Sequence, residues 1–245
     1  MTSVRSRTLA ALLAIVPTAG LLAVASPAQA ATLDITVKSV AVNKSVFVLG
    51  SGAGCQKLAI TAVTSAPIPT AGFEIAGVGA DIEAPNGNVV KGGQFSQVGS
   101  TATYKGTFKI CGKDSAGRWT VNVYGAQMRS GGSPELTNVV SKSIYLKRPS
   151  KLSLNAAPEP VVKGEKLTAK GVLKVNGKAL AGAKVKIYFT PAGSTASVHK
   201  GTATTNGKGV YSKKFTATGT GVWKAVYAGG AARNAASAVD TVKVK

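Results

Sequence analysis

Residues 166–175, Lys166-Leu-Thr-Ala-Lys-Gly-Val-Leu-Lys-Val175, alternate between apolar and basic side chains. The apolar positions share one side of an extended chain: Leu167, Ala169, Leu173 and Val175. The basic positions share the other side: Lys166, Lys170 and Lys174. Because successive side chains of a strand point to opposite faces of a sheet, this stretch predicts a strand with one buried and one exposed face.

Other short stretches repeat this pattern. Lys184-Val-Lys-Ile-Tyr-Phe189 would bury Val185, Ile187 and Phe189, and Trp119-Thr-Val-Asn-Val-Tyr124 places Trp119 in phase with two valines. Asn-Gly pairs, which suit tight hairpin turns, occur at Asn86-Gly87, Asn176-Gly177 and Asn206-Gly207. No stretch beyond the first thirty residues has sustained helical periodicity. The pattern predicts an all-β protein built from antiparallel sandwiches.

The chain length and one boundary favour two tandem domains. Lys147-Arg148-Pro149-Ser150 ends one predicted strand, and a new alternating stretch begins at Lys151. Proline removes a backbone donor, so it favours a break at this point. We therefore predict one sandwich over residues 31–147, a linker over 148–150 and a second sandwich over 151–245.

The first thirty residues have the features of a secretory signal peptide. Arg5 and Arg7 form a basic head, residues 9–25 are mostly apolar, and Ala28-Gln29-Ala30 matches a cleavage site. The alternative is a membrane anchor, but the cleavage pattern favours removal after Ala30. We expect no stable membrane insertion and a secreted, extracellular protein in an oxidising compartment, where Cys55 and Cys111 would pair rather than stay free.

The formal net charge is +21, and removal of Arg5 and Arg7 leaves 28 basic against 9 acidic residues, or +19. Of the 28 basic residues 24 are lysines, which act as hydrated point charges rather than as planar, bidentate phosphate ligands. This composition favours diffuse, salt-sensitive attraction to a polyanion over specific nucleic-acid recognition. The alternative is a solvated basic surface that keeps the protein soluble.

Three stretches of the second half resemble the bacterial immunoglobulin-like modules of secreted actinobacterial proteins: Pro158-Glu-Pro-Val-Val-Lys-Gly-Glu-Lys-Leu-Thr168, Asn206-Gly-Lys-Gly-Val-Tyr211 and Gly221-Val-Trp-Lys-Ala-Val-Tyr-Ala-Gly229. The resemblance covers residues 151–245. The first half resembles these modules in general form, through its two cysteines and a Gly-x-Trp strand. The resemblance implies immunoglobulin-like sandwiches that act as binding or spacer modules, and it transfers no active site.

The positive charge is concentrated in the second half, with +13 over residues 151–245 against +6 over 31–150. Candidate polyanion contacts are two sets of lysines on opposite sheets. Lys166, Lys170 and Lys174 form one set. Lys184, Lys186 and Lys224, with Tyr188, form the other. A plain solvated face is the alternative for both sets.

The sequence offers no catalytic or metal-binding residues, and we expect no cofactor. A Gly-x-Ser-x-Gly elbow is absent, and His199 is the one histidine of the chain. Asp81 and Glu83 share a strand face, which we interpret as a solvated face rather than a carboxylate pair or calcium site. We assign Trp119 and Trp223 to the two cores rather than to a sugar-binding surface.

These patterns predict a secreted, non-enzymatic binding or structural protein. Its expected partner is an anionic cell-wall polymer or another polyanion, held by the basic surface, so that the protein is cell-wall associated. The second hypothesis is an extracellular ligand carrier or protein inhibitor that uses loops of the sandwiches. The third is an uncharacterised extracellular enzyme.

Overall fold

A computed structural model describes residues 33–245, which form two compact units. One unit contains residues 33–47 and Ala53–Leu146, and the other contains Val48–Gly52 and Lys147–Lys245. The expected signal peptide and its cleavage site at Ala30 lie outside the described residues. Within residues 33–245 there is no helix with the length and apolarity needed to cross a membrane.

The first half of the chain forms two sheets. Its strands are β1 (Val37–Val42), β2 (Val46–Val48), β3 (Cys55–Thr64), β4 (Ile75–Glu83), β5 (Val89–Gln94), β6 (Ser96–Gln97), β7 (Thr103–Cys111), β8 (Gly117–Met128), β9 (Glu135–Leu136) and β10 (Val140–Lys147). One sheet has the order β1-β3-β7-β6, and the other has the order β2-β10-β8-β4-β5 with β9 paired to β8.

Alternating apolar positions of these strands form the core of the first unit. Leu58 and Ile60 of β3, Ile82 of β4 and Val121 of β8 are at most 1% exposed. Trp119 is 2% exposed, and its indole N–H donates a hydrogen bond to the Ser115 carbonyl at 2.8 Å. The prediction that Trp119 is a core residue is confirmed.

The second unit also forms two sheets. Its strands are β11 (Ser150–Leu152), β12 (Asn155–Ala157), β13 (Lys166–Val175), β14 (Lys178–Ala179), β15 (Lys184–Pro191), β16 (Val198–Thr204), β17 (Val210–Thr216), β18 (Gly221–Tyr227) and β19 (Ala236–Val242). β13 pairs with β11, β12, β14 and β17, and the other sheet has the order β16-β15-β18-β19. β11 begins at Ser150, the last residue of the predicted linker.

The chain alternates between the two sheets of the second unit. β13 lies in one sheet, β15 and β16 lie in the other, β17 returns to the first, and β18 and β19 return to the second. This crossing between two antiparallel sheets is the arrangement of immunoglobulin-like and fibronectin type III sandwiches. The predicted all-β fold of antiparallel sandwiches is confirmed.

Three aromatic rings pack against one another at tilted angles in the core of the second unit. The Trp223 ring lies 5.0 Å from the Phe189 ring and 4.9 Å from the Phe215 ring, measured between centroids. Trp223 is 2% exposed, and Leu167 and Ile187 pack in the same cluster. Trp223 is therefore a core residue, as the sequence predicts.

The Asn-Gly pairs differ in how they turn the chain. Asn176 and Gly177 have positive φ angles of 49° and 80°, and they connect β13 to β14 as predicted. At Asn206-Gly207 the positive φ, 72°, falls on Gly209 instead. The Asn206 side-chain oxygen accepts hydrogen bonds from the Lys208 and Val210 amides, so Asn206 acts here as a turn acceptor.

Candidate polyanion-binding faces

Five lysines point outward from the sheet around β13, and we call this surface the β13 face: Lys151, Lys166, Lys170, Lys174 and Lys214. Lys151 lies directly opposite Lys174 on the neighbouring strand, and Lys214 lies opposite Thr168. Alternation in the sequence predicts three of the five: Lys166, Lys170 and Lys174. Lys151 is not predicted because β11 has only three residues, and Lys214 is not predicted because Lys213-Lys214 interrupts the alternation of β17.

The strand register sets the spacing of these charges. Because Lys214 faces Thr168, it is the diagonal neighbour of both Lys166 and Lys170. Diagonal neighbours across antiparallel strands lie about 7–8 Å apart, and direct partners have Cβ atoms about 5 Å apart. The β13 face is therefore a series of regularly spaced positive charges.

No carboxylate projects outward from the strands that form the β13 face. Residues 151–245, all of which the structure describes, contain three acidic residues: Glu159, Glu165 and Asp240. None occupies an outward position of the strands around β13. Within the same residues no lysine or arginine lies within 4.0 Å of a carboxylate. The five ammonium groups therefore face solvent without a carboxylate partner.

The second lysine set lies on the other sheet of the unit, as the sequence predicts. Lys184 and Lys186 project from β15, and Lys224 of β18 is the direct cross-strand partner of Tyr188. The Lys184 ammonium donates a hydrogen bond to the Thr204 hydroxyl at 2.8 Å. Outward positions of this sheet also include Val222 and Val239, which are 37% and 63% exposed. This surface therefore mixes charge with exposed apolar side chains.

His199 lies beside this second set. Its ring meets the Tyr188 ring edge-on, with centroids 5.2 Å apart, and its Nε2 atom lies 3.3 Å from the Thr202 hydroxyl. Both His199 and its neighbour Lys200 are exposed. Within the described residues no carboxylate contacts the ring, so the third group that would orient a histidine base beside the Thr202 hydroxyl is missing at this position.

The disulfide predicted between Cys55 and Cys111 is confirmed. The two cysteines are direct partners on β3 and β7, which are neighbours in one sheet. In antibody domains the conserved bridge instead joins the two sheets across the core. The bridge in this chain therefore fastens the ends of two adjacent strands and leaves the core to side-chain packing.

The interpretation of Asp81 and Glu83 as a solvated face is wrong for Asp81, which is 1% exposed. The Tyr124 hydroxyl donates a hydrogen bond to the Asp81 carboxylate at 3.1 Å. Burial raises the pKa of Asp81 and outweighs the opposite effect of that hydrogen bond, while the negative charge of Glu83 raises the pKa further. Burial also raises the pKa of Tyr124.

Glu83 belongs to a neighbouring chain of hydrogen bonds. The Asn122 amide donates to the Glu83 carboxylate at 2.7 Å, and the Ser141 hydroxyl donates to the Asn122 carbonyl oxygen at 2.6 Å. The described residues contain no group of three or more His, Cys, Asp or Glu side chains that could hold a metal ion. The two carboxylates therefore serve as hydrogen-bond acceptors in a polar network of the first unit.

A groove at one end of the second unit has mixed lining. Its volume is about 700 Å³, and its walls include Glu159, Pro160, Thr220 and Lys243. Its lining therefore contains acidic, basic and apolar groups. Because the groove is not uniformly positive, it is a poorer match for an anionic polymer than the β13 face.

No family model matches the chain, and no curated protein matches it. Among solved structures, fibronectin(III)-like modules of Clostridium thermocellum CbhA are 15% identical, with 84% of this chain and 95% of that chain covered and a TM-score of 0.32. An alpha-2-macroglobulin from Salmonella is 11% identical, with 88% of this chain but only 15% of that chain covered and a TM-score of 0.37. The fold assignment therefore rests on the chain's own strand order.

Proposed function

We propose that this protein is a secreted, non-enzymatic binding protein that attaches to anionic cell-wall polymers through the β13 face. One observation carries the proposal: five outward lysines share one sheet surface on which the strands present no carboxylate. The leader over residues 1–30 supports an extracellular location.

Regular spacing favours a polymer as the partner. A flexible chain with repeated negative groups can contact several lysines at once, and each contact adds to the apparent affinity. Teichoic acids and related phosphodiester polymers have this chemistry. Lysine suits it because a hydrated ammonium attracts any nearby anion without demanding one orientation.

The same surface argues against recognition of nucleic-acid bases. Single-stranded nucleic acids are usually held by aromatic side chains on which the bases stack. The outward positions of β13 are Lys166, Thr168, Lys170, Val172 and Lys174, none of which is aromatic. The β13 face thus supplies charge without a stacking surface.

Cosedimentation with purified Gram-positive cell walls tests the proposal. The mature chain, residues 31–245, should sediment with walls that carry teichoic acids at low salt, and this binding should be lost when the teichoic acids are stripped. A five-lysine variant of the β13 face, K151Q/K166Q/K170Q/K174Q/K214Q, should bind at least tenfold more weakly.

A matched control removes the same charge from exposed positions of the first half: K38Q/K57Q/K105Q/K109Q/K142Q. This control variant should retain most of the binding. Equal losses in both variants would show that net charge alone drives attachment. Undiminished binding to stripped walls would reject the anionic polymer as the partner.

A further inference from the structure

The strand that borders the β13 face is bent at Ser153, between β11 and β12. Both short strands pair with β13, and the bend passes over Gly171. A Cβ atom at Gly171 would lie only 1.8 Å from the Ser153 carbonyl oxygen, so a larger residue there would displace the bend. The Tyr211 hydroxyl donates a hydrogen bond to that oxygen at 2.6 Å. The hydrogen bond from Tyr211, which lies on the core side of the sheet, therefore holds the bend in place.

Beside this bend the surface forms an open notch of about 440 Å³. It is lined by Lys151, Leu152, Ser153, Val172 and Lys174. The notch is thus a concave part of the β13 face, with a lysine on each of two neighbouring strands.

Lys151 and Lys174 are direct cross-strand partners. Like charges in this arrangement repel each other and destabilise the pair. Within the described residues neither ammonium has a carboxylate within 4.0 Å. An anion bound between the two ammonium groups would convert this repulsion into two attractive contacts.

Ser153 supplies a third donor. Its hydroxyl oxygen accepts a hydrogen bond from the Val172 amide at 2.9 Å, which fixes the position of the oxygen. That contact uses a lone pair and leaves the hydroxyl proton free to be donated. The notch therefore offers two ammonium groups and one hydroxyl to a single acceptor.

We infer that this notch binds one phosphate group of the polymer, so that attachment includes a defined subsite within the β13 face. The inference rests on the proposed function and deepens it. A phosphodiester group suits the donors because it is compact and because its single negative charge is shared by two non-bridging oxygens, which can accept hydrogen bonds from both lysines and from the hydroxyl. The other two lining residues, Leu152 and Val172, have apolar side chains that carry no competing hydrogen-bond acceptor.

Titration with inorganic phosphate tests the notch directly. Amide resonances of the mature chain are followed by NMR, with chloride at matched ionic strength as the reference. The largest shifts should occur at residues 151–153 and 172–174. K151Q/K174Q should weaken the phosphate affinity at least tenfold, and Ser153→Ala should weaken it several-fold.

The control variant is K166Q/K214Q, which removes two charges from the same face outside the notch. It should keep the shifts at residues 151–153. Shifts spread evenly over the lysines, or equal losses in the two double variants, would overturn the notch and leave the proposed function standing if wall binding persists. Phosphate binding in the notch without wall binding would support the notch and reject the proposed function.

Discussion

The two halves of the chain form antiparallel β-sandwiches but differ in the partners of their charged side chains. The first half carries hydrogen-bonded carboxylates and an ion pair, in which the Lys91 ammonium lies 3.1 Å from the Asp114 carboxylate. In the second half, over the described residues 151–245, no lysine or arginine lies within 4.0 Å of a carboxylate. The first half also places lysines on one sheet face, because Lys57 and Lys109 are direct cross-strand partners and Lys105 shares their face, but β3 and β7 present three lysines where the β13 face has five.

The halves also differ in how they are stabilised. A disulfide fastens β3 to β7 in the first half. The second half contains no cysteine and depends on apolar packing around Trp223. Substitutions that remove one of these features should therefore affect one half only.

Trp223→Ala should have the largest effect. Loss of a fully buried tryptophan lowers the free energy of unfolding by about 3–5 kcal/mol, and here it also removes the ring between Phe189 and Phe215. Hydrogen exchange under native conditions should accelerate in residues 147–245 and stay unchanged in residues 53–146. Trp223→Phe is the control and should cost less than Trp223→Ala, because it keeps an aromatic ring between Phe189 and Phe215 and because the indole N–H of Trp223 has no hydrogen-bond partner. Faster exchange in both halves would contradict independent cores.

The double variant Cys55→Ser with Cys111→Ser should have the next largest effect. Loss of the bridge frees the unfolded first half and lowers its stability by about 2–4 kcal/mol. Denaturation of the oxidised and reduced wild-type protein provides the matched comparison. Only the transition of the first half should move to lower denaturant. A shift of both transitions would show that the bridge stabilises more than the first half.

Asp81→Asn should have the smallest effect, and its sign depends on pH. The folded-state pKa of Asp81 lies above the ordinary value of 3.8 because the carboxyl group is buried. Its contribution to stability is therefore fully present below pH 3.8 and decreases as the pH rises through the folded-state pKa. The free energy of unfolding of the variant minus that of the wild type should therefore be higher at pH 7 than at pH 3.5. Thermal unfolding at both pH values measures this difference, and a variant that loses stability only at pH 7 would contradict the buried, destabilised carboxylate.

Alternation predicted much of this architecture from the sequence. β13 has the predicted bounds, and the buried positions Val185, Ile187 and Phe189 follow the predicted phase of β15. These elements were predictable because one face is apolar and the other is charged. Because side chains along a strand repeat every two residues, each one can be assigned to a face of the sheet before the partner strand is known.

The missed features depend on contacts between distant residues. Asp81 is buried because Tyr124, 43 positions later, covers and hydrogen-bonds it. Lys151 belongs to the β13 face because a bent strand pairs it with Lys174. One signal was present: the glycine within β13 marks a close backbone approach, and here it locates the bend beside the notch.

The salt dependence of wall binding tests the central claim most directly. The logarithm of the apparent binding constant is measured against the logarithm of salt concentration for the wild type and the two five-lysine variants. Each lysine that contacts the polymer should contribute roughly one unit of slope. We predict a much shallower slope for the β13-face variant and a wild-type slope for the control. Equal slopes in the two variants would contradict attachment through the β13 face.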